Sequence, residues 1–338
     1  MQRNERFRHL ADGPDVAPVD PDAEDRRTAP DRRRPRHKEV PAMTHPFAAW
    51  TEIDNGLVPV EDGELFYETA GEGPAVVLLH GGMLDQRMWD EQFSWLVGSG
   101  HRVIRYDFRG HGLSSTVSGD WAHHDDLCAL LDALDVPRAV LVGLSHGARV
   151  ALDTALAHPE RVGALALASP GVSGRALTDP FLLEHIKGQV AAISAPDGDG
   201  MERFVEHFLR MWVDGPHRRP CDVHPGLRER LRASAAANAE AHAEGMGAGM
   251  PLEVGAADRL SEIRVPTVVF DGDLDSRDIA ANAHAIALAV PGAHRVRVPG
   301  AAHMVNLENA AAFDHALRTF LSAANGHRSS AIRHRPIE

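Results

Sequence analysis

Four short stretches of this 338-residue chain hold residue types that together could form and break a covalent bond. The first is Gly143-Leu144-Ser145-His146-Gly147, between the apolar run Ala139–Val142 and a helical pattern from Ala148. A serine on a tight strand-to-helix turn presents its hydroxyl at the sheet edge, and small neighbours let the backbone approach closely. The amide of His146, at the start of that helix, is placed to stabilise an oxyanion. The second stretch, His80-Gly81-Gly82, ends the apolar run Ala75–Leu79. A glycine-rich loop there can aim a second amide into the same site. That amide is assigned to Gly82, with Met83 as the fallback, and His80 reads as a brace for the loop. The third and fourth stretches supply the proton chemistry: a serine nucleophile needs a base, and the base needs an orienting acid. His303 follows the run Arg295–Val298 through Pro299-Gly300 and precedes a helical pattern, which sets it apart from the other histidines. Asp271, Asp273 and Asp275 follow the run Val265–Phe270, and spacing leaves all three open as the acid. The chemistry is acyl transfer to water through an acyl-serine, which calls for no metal or organic cofactor.

The elements that must hold these residues are legible as short apolar runs separated by amphipathic stretches. Runs at Ala75–Leu79, Val103–Tyr106, Ala139–Val142, Ala164–Ala168, Val265–Phe270 and Arg295–Val298 have the length of buried strands. Asp125–Leu134 and Ala148–His158 carry apolar residues at helical spacing. Such alternation predicts a parallel sheet covered by helices on both faces. Leu57–Thr69, with Glu61-Asp62-Gly63 at its middle, predicts an antiparallel hairpin ahead of it. From Gly171 to Ile263 no strand-like run occurs. Helical patterns over Phe181–Ile193, Met201–Trp212 and Leu227–Ala243 predict an insertion instead. Within it Phe204, Phe208, Met211 and Trp212 fall at helical spacing. That stripe is expected to pack the insertion on the core, and spacing leaves open whether part of it, with Met83 and Met304, lines an apolar substrate pocket.

Taken together, these motifs resemble an α/β-hydrolase-fold serine hydrolase from about Phe47 to Leu321. The matching residues are His80-Gly81-Gly82, Tyr106-Asp107-Phe108-Arg109-Gly110-His111-Gly112-Leu113-Ser114, Gly143-Leu144-Ser145-His146-Gly147, Gly272-Asp273-Leu274-Asp275 and Gly300-Ala301-Ala302-His303. The resemblance implies a mostly parallel eight-stranded sheet with helices on both faces and a helical cap over residues 171–263. The core is then 43–170 and 264–325. The family spacing of glycine, two residues and the acid maps onto Gly272 and Asp275, so it implies Asp275 as the acid, with Asp273 second. Ser276-Arg277-Asp278 stands where the family often has a proline. The implied oxyanion amides are those of Gly82 and His146. The substrate implied is a small carboxylic ester or lactone. A carbon–carbon bond hydrolase, an acyltransferase and a non-catalytic ligand binder share the same framework.

Composition excludes other classes. A formal charge of −13 argues against a nucleic-acid partner. No stretch approaches the roughly 20 apolar residues of a membrane span, and with no targeting signal the expected location is the cytoplasm. Two cysteines, Cys128 and Cys221, rule out a disulfide scaffold. His123-His124-Asp125-Asp126 offers metal-ligand types, but adjacent residues on a helix do not share a face, so no metal is assigned. Residues 1–42 mix basic, acidic and proline residues with almost nothing apolar, which predicts a disordered tail. The change in composition at Met43 suggests translation starting there. Residues 326–338 are expected to form a loose C-terminal tail.

Overall fold

The apolar runs become one eight-stranded sheet in the computed structural model, which describes residues 52–117, 119–194, 198–245 and 251–332. Its strands are β1 (Asp54–Val60), β2 (Gly63–Ala70), β3 (Ala75–Leu79), β4 (Arg102–Tyr106), β5 (Ala139–Leu144), β6 (Val162–Ala168), β7 (Thr267–Gly272) and β8 (His294–Val298). Their order is β1-β2-β4-β3-β5-β6-β7-β8. β2 runs against both of its neighbours, and the remaining pairs are parallel. The opening hairpin pairs Val60 with Gly63. Its turn is Glu61-Asp62, with Asp62 at φ 56°, a left-handed conformation that aspartate tolerates. β7 begins beyond Pro266, which has no N–H to give to a ladder.

Alternation along each central strand feeds two cores. Val76, Leu78, Val103 and Val142 share one apolar cluster with Phe93 and Leu96 of α1 (Asp90–Gly98) and Phe313, Leu317 and Leu321 of α9 (Ala310–Ile332). Val77, Leu79, Ile104 and Leu141 face the opposite way. They pack with Leu127, Leu130 and Leu131 of α2 (His123–Ala133), Val150 and Leu152 of α3 (His146–Ala157), and Ala283 and Ile286 of α7 (Arg277–Ala289). Both faces are therefore covered, which explains why strands such as β5 and β6 are buried at every position.

Between β6 and β7 the chain inserts α4 (Pro180–Ile193), α5 (Gly200–Leu209) and α6 (Pro225–His242). α6 is tied to two loops of the sheet. Asn238 donates from Nδ2 to Asp85 Oδ2 at 3.3 Å, and its Oδ1 accepts from the Gly112 amide at 2.6 Å. Ser234 Oγ adds a 3.0 Å bond to Asp85 Oδ2.

Two sequence readings change. The helix expected to run unbroken from Met201 to Trp212 stops at Leu209 and continues as a wide π-turn over Arg210–Asp214. A π-turn shifts the angular phase of the residues that follow it. The expected loose tail from residue 326 begins inside α9, whose backbone stays helical to Ile332; its alanines favour the helix enough to carry it past Gly326. The expected tail over residues 1–42, and residues 333–338, lie outside the described residues. No helix among the described residues is long and apolar enough to cross a membrane.

Candidate active site

The loops that leave the C-terminal ends of β3, β5, β7 and β8 meet at one edge of the sheet, where ligands bind in open parallel sheets. β5 delivers Ser145, which starts α3 at φ 56° and ψ −107°. This is a strained conformation for a residue with a Cβ, worth about 1–3 kcal/mol. Surrounding bonds hold it. The Ser145 amide donates to Ala168 O at 2.9 Å, and its carbonyl accepts from Arg149 and Gly171 at 3.1 and 3.0 Å. The flanking glycines are sterically required. A Cβ on Gly143 would lie 2.4 Å from the Gly147 backbone, and one on Gly147 would lie 2.2 Å from Leu79 O.

β7 and β8 bring an acid and a base together. His303 Nδ1 is 2.9 Å from Asp275 Oδ2, and both side chains are buried. Asp275 Oδ1 accepts a second bond from the Ser276 amide at 2.7 Å. The opposite ring nitrogen, His303 Nε2, is buried with no hydrogen-bond partner. The other two aspartates are engaged elsewhere. Asp271 is forked by Arg295, with both bonds at 2.7 Å. Asp273 Oδ1 accepts from the Gly300 amide at 2.7 Å and so holds the turn before His303.

The β3 loop supplies the facing wall. A Cβ on Gly82 would sit 3.9 Å from that of His146, so the two residues carrying the expected amides are neighbours. The fallback amide is occupied, since Met83 N–H donates to His111 Nε2 at 3.3 Å. His80 is buried behind this loop. Its Nδ1 is 2.8 Å from Gly81 O, and its Nε2 accepts from the Phe108 amide at 2.9 Å. Burial, reinforced by the nearby His111 ring, pushes its pKa down to about 3, which keeps this brace neutral. His146 is likewise pushed well below the usual histidine range by burial and by neighbouring His123.

These residues enclose a cavity of about 300 Å³. Ser145, His146, His303, Gly82, Met83 and Met304 line it from the sheet side, and Phe204, Phe208 and Trp212 from the insertion. Trp212 lies with its ring centroid 4.5 Å from that of His303. Met211 was expected beside them and does not line the cavity. It is buried elsewhere because the π-turn over Arg210–Asp214 turns it away while Trp212 stays on the cavity side. The sequence reading missed Arg149, Arg175, Gln189 and Asn282, all of which line the cavity. Arg149 lies one helical turn beyond Ser145, a spacing visible in the chain. Arg175, Gln189 and Asn282 come from separate elements and left no local signal. No carboxylate lines the cavity among the described residues.

Comparison with known proteins points the same way. The sequence pattern of the alpha/beta hydrolase family matches residues 76–316. A 2-hydroxy-6-oxo-6-phenylhexa-2,4-dienoate hydrolase of Comamonas testosteroni is 33% identical over 173 residues, covering 49% of this chain and 59% of that protein. The chain thus spans about three fifths of the length of such curated relatives. The solved enol-lactonase of Burkholderia xenovorans LB400 is 27% identical with a TM-score of 0.63, covering 79% of this chain and all of that one. A thermophilic esterase from Thermogutta terrifontis is 25% identical with a TM-score of 0.63, covering 81% and 99%. With a family pattern spanning more than half of its length, the chain belongs to the alpha/beta hydrolase family.

Proposed function

We propose that the protein is a serine hydrolase that cleaves a small carboxylic ester or lactone through Ser145, His303 and Asp275. The observation that carries this reading is the buried His303–Asp275 bond, which leaves His303 Nε2 unpartnered at the cavity that Ser145 also lines. In the reaction, His303 Nε2 takes the proton of Ser145 Oγ as that oxygen attacks the substrate carbonyl. Asp275 holds the Nδ1–H tautomer and stabilises the imidazolium. The amides of Gly82 and His146 receive the developing oxyanion. The proton then passes to the leaving alkoxide as the carbon–oxygen bond breaks, and water attacks the acyl-serine by the same route in reverse. The inserted helices act as a cap. They bring Phe204, Phe208 and Trp212 over the acyl group and keep bulk water from it. A cavity at the lower end of the usual size range for ligand sites suits a substrate of modest size. The enol-lactonase and the esterase among the structural relatives support an ester or lactone.

A second reading is favoured by one observation. Arg175 lines a cavity without a carboxylate, beside Arg149, whose Nη1 is paired with Glu253 Oε1 at 2.6 Å outside the lining, and the Arg175 charge suits an acidic substrate. The relative from Comamonas testosteroni is named for such an acid. Cleavage of a carbon–carbon bond in an acidic diketone would use the same three residues.

Labelling with a fluorophosphonate, followed by mass spectrometry, tests the nucleophile. The expected result is one adduct on Ser145, with p-nitrophenyl acetate turnover lost in Ser145→Ala. A panel of lactones and acidic diketones then separates the two readings. Absence of both labelling and turnover overturns them together.

A further inference from the structure

A second cluster of chemically capable side chains lies away from the cavity, where α2 meets the far end of α3. His124 and Asp125 stand in the first turn of α2, and His158 caps the C-terminus of α3. Three of their atoms form a closed triangle. His124 Nδ1 is 3.2 Å from His158 Nε2 and 3.1 Å from Asp125 Oδ1, and His158 Nε2 is 2.8 Å from Asp125 Oδ1. The run His123-His124-Asp125-Asp126 does not act as a unit. His123 is buried, and Asp126 is forked by Arg109 with bonds of 2.8 and 2.7 Å. The third vertex comes from a residue 34 positions along the chain.

Protons satisfy such a triangle poorly. A neutral imidazole has one N–H, an N–H points at one acceptor, and an ionised carboxylate only accepts. If one ring donates to Asp125, the other presents a lone pair to the carboxylate oxygen. If both rings donate, two N–H groups face each other across 3.2 Å. Every assignment leaves one repulsive edge. A cation bound to all three atoms removes the conflict, because each then offers it a lone pair. Around tetrahedral zinc, with ligand bonds of 2.0–2.2 Å, neighbouring ligand atoms stand about 3.3 Å apart. The observed edges are close to one face of that tetrahedron.

We infer that His124, Asp125 and His158 form a binding site for one divalent transition-metal ion of the zinc class, with water as the fourth ligand. Two imidazoles and one carboxylate suit zinc, cobalt or nickel better than calcium or magnesium. Asp125 is 63% exposed, which leaves an entry path, while His124 and His158 are held at 14% and 29%. The C-terminal dipole of α3 favours the cation, the N-terminal dipole of α2 opposes it, and the carboxylate supplies countercharge. The ion would clip α2 to α3. Ser145 stands at the opposite end of the 12-residue helix α3, about 18 Å away at 1.5 Å per residue, so the site is structural and separate from the proposed acyl chemistry.

The test uses the full chain stripped with a chelator and titrated with Co²⁺, then Zn²⁺. The expected result is one Co²⁺ per chain with the intense visible absorption of a tetrahedral site, displaced by Zn²⁺, together with a rise in Tm on adding Zn²⁺. His158→Ala and His124→Ala should abolish both signals. Asp125→Asn, at an exposed position that leaves the fold undisturbed, should weaken binding about tenfold or more. His185→Ala should change nothing. Its pair with His207, Nδ1 to Nδ1 at 3.0 Å, is a two-histidine contact outside the triangle. A pale octahedral cobalt spectrum, no binding at micromolar metal, or binding that survives His158→Ala or is lost in His185→Ala would overturn the proposal.

Discussion

The imidazole of His111 accepts the Met83 amide at 3.3 Å and so pins the loop that carries Gly82. His111 Nδ1 stands 3.0 Å from the Arg109 carbonyl, which takes its N–H and leaves Nε2 as the acceptor. Burial lowers its pKa to about 4, so the ring stays an acceptor through the neutral range. Met83 sits at φ 60°, a conformation a side-chain-bearing residue leaves readily when unrestrained.

The first prediction follows from that contact. His111→Ala should lower kcat roughly tenfold with KM little changed, less than the 10²–10³-fold loss of a whole oxyanion donor. His111→Gln, whose side-chain oxygen can accept the same N–H, should recover part of the loss. Equal kcat in all three proteins, measured on p-nitrophenyl acetate, would show that the bond does not position the loop.

The identity of the acid is open to a paired comparison. Asp275→Asn removes the carboxylate that holds the His303 tautomer, and kcat should fall by about 10⁴-fold. Asp273→Asn disturbs only the bond to the Gly300 amide, and kcat should stay within a few-fold of wild type. The reverse ranking would assign the role to Asp273.

The imidazoles around Phe108 predict acid sensitivity. His80, His123 and His146 have ring centroids 4.2, 5.0 and 5.2 Å from Phe108, and His111 lies at 6.4 Å. Burial, the largest cause in each case, lowers His80 and His123 to about 3 and His111 to about 4, with His146 also well down. The unfolded chain therefore takes up protons first. Stability is fully present above about pH 6.5 and is lost as the pH falls toward 4, at up to about 1.4 kcal/mol per pH unit for each ring. Asp107 works in the opposite sense. Burial, then the charge of Asp85, raises it to about 7, so its contribution falls as pH rises. Burial also raises the carboxyls of Asp126, Asp153 and Asp314, which act in the same sense as Asp107 and soften the acid dependence set by the rings. Urea unfolding at pH 7, 6 and 5 should show stability declining with acid, with a shallower slope in His123→Phe. An unchanged slope in that variant would refute the assignment.

Trp212 predicts specificity. Its ring lies 4.5 Å from His303 and closes the cavity from the insertion. Trp212→Ala should move the preferred p-nitrophenyl ester toward longer acyl chains, changing the ratio of kcat/KM between butyrate and octanoate by about 10-fold or more. A parallel loss on all chain lengths would mean that the ring supports His303 rather than bounding the acyl group.

Local sequence determined the parts of this protein that depend on neighbours in the chain. Gly143 and Gly147 announced the turn around Ser145, because only glycine fits where another backbone passes within 2.4 Å. Continuous apolar runs announced β3, β5 and β6, because both of their faces are buried. Tertiary structure decided whatever depends on residues far apart. Asp271, Asp273 and Asp275 are equivalent by spacing, and they separate only when Arg295, Gly300 and His303 are brought to them. Met211 and Trp212 share a helical stripe on paper and part company at a π-turn that no periodicity encodes. Arg175, Gln189 and Asn282 reach one cavity from three elements, and His158 reaches His124 from the end of another helix. Periodicity reports which face of an element is buried. Which elements then meet is set by packing around the sheet, and the chemistry lies at those meetings.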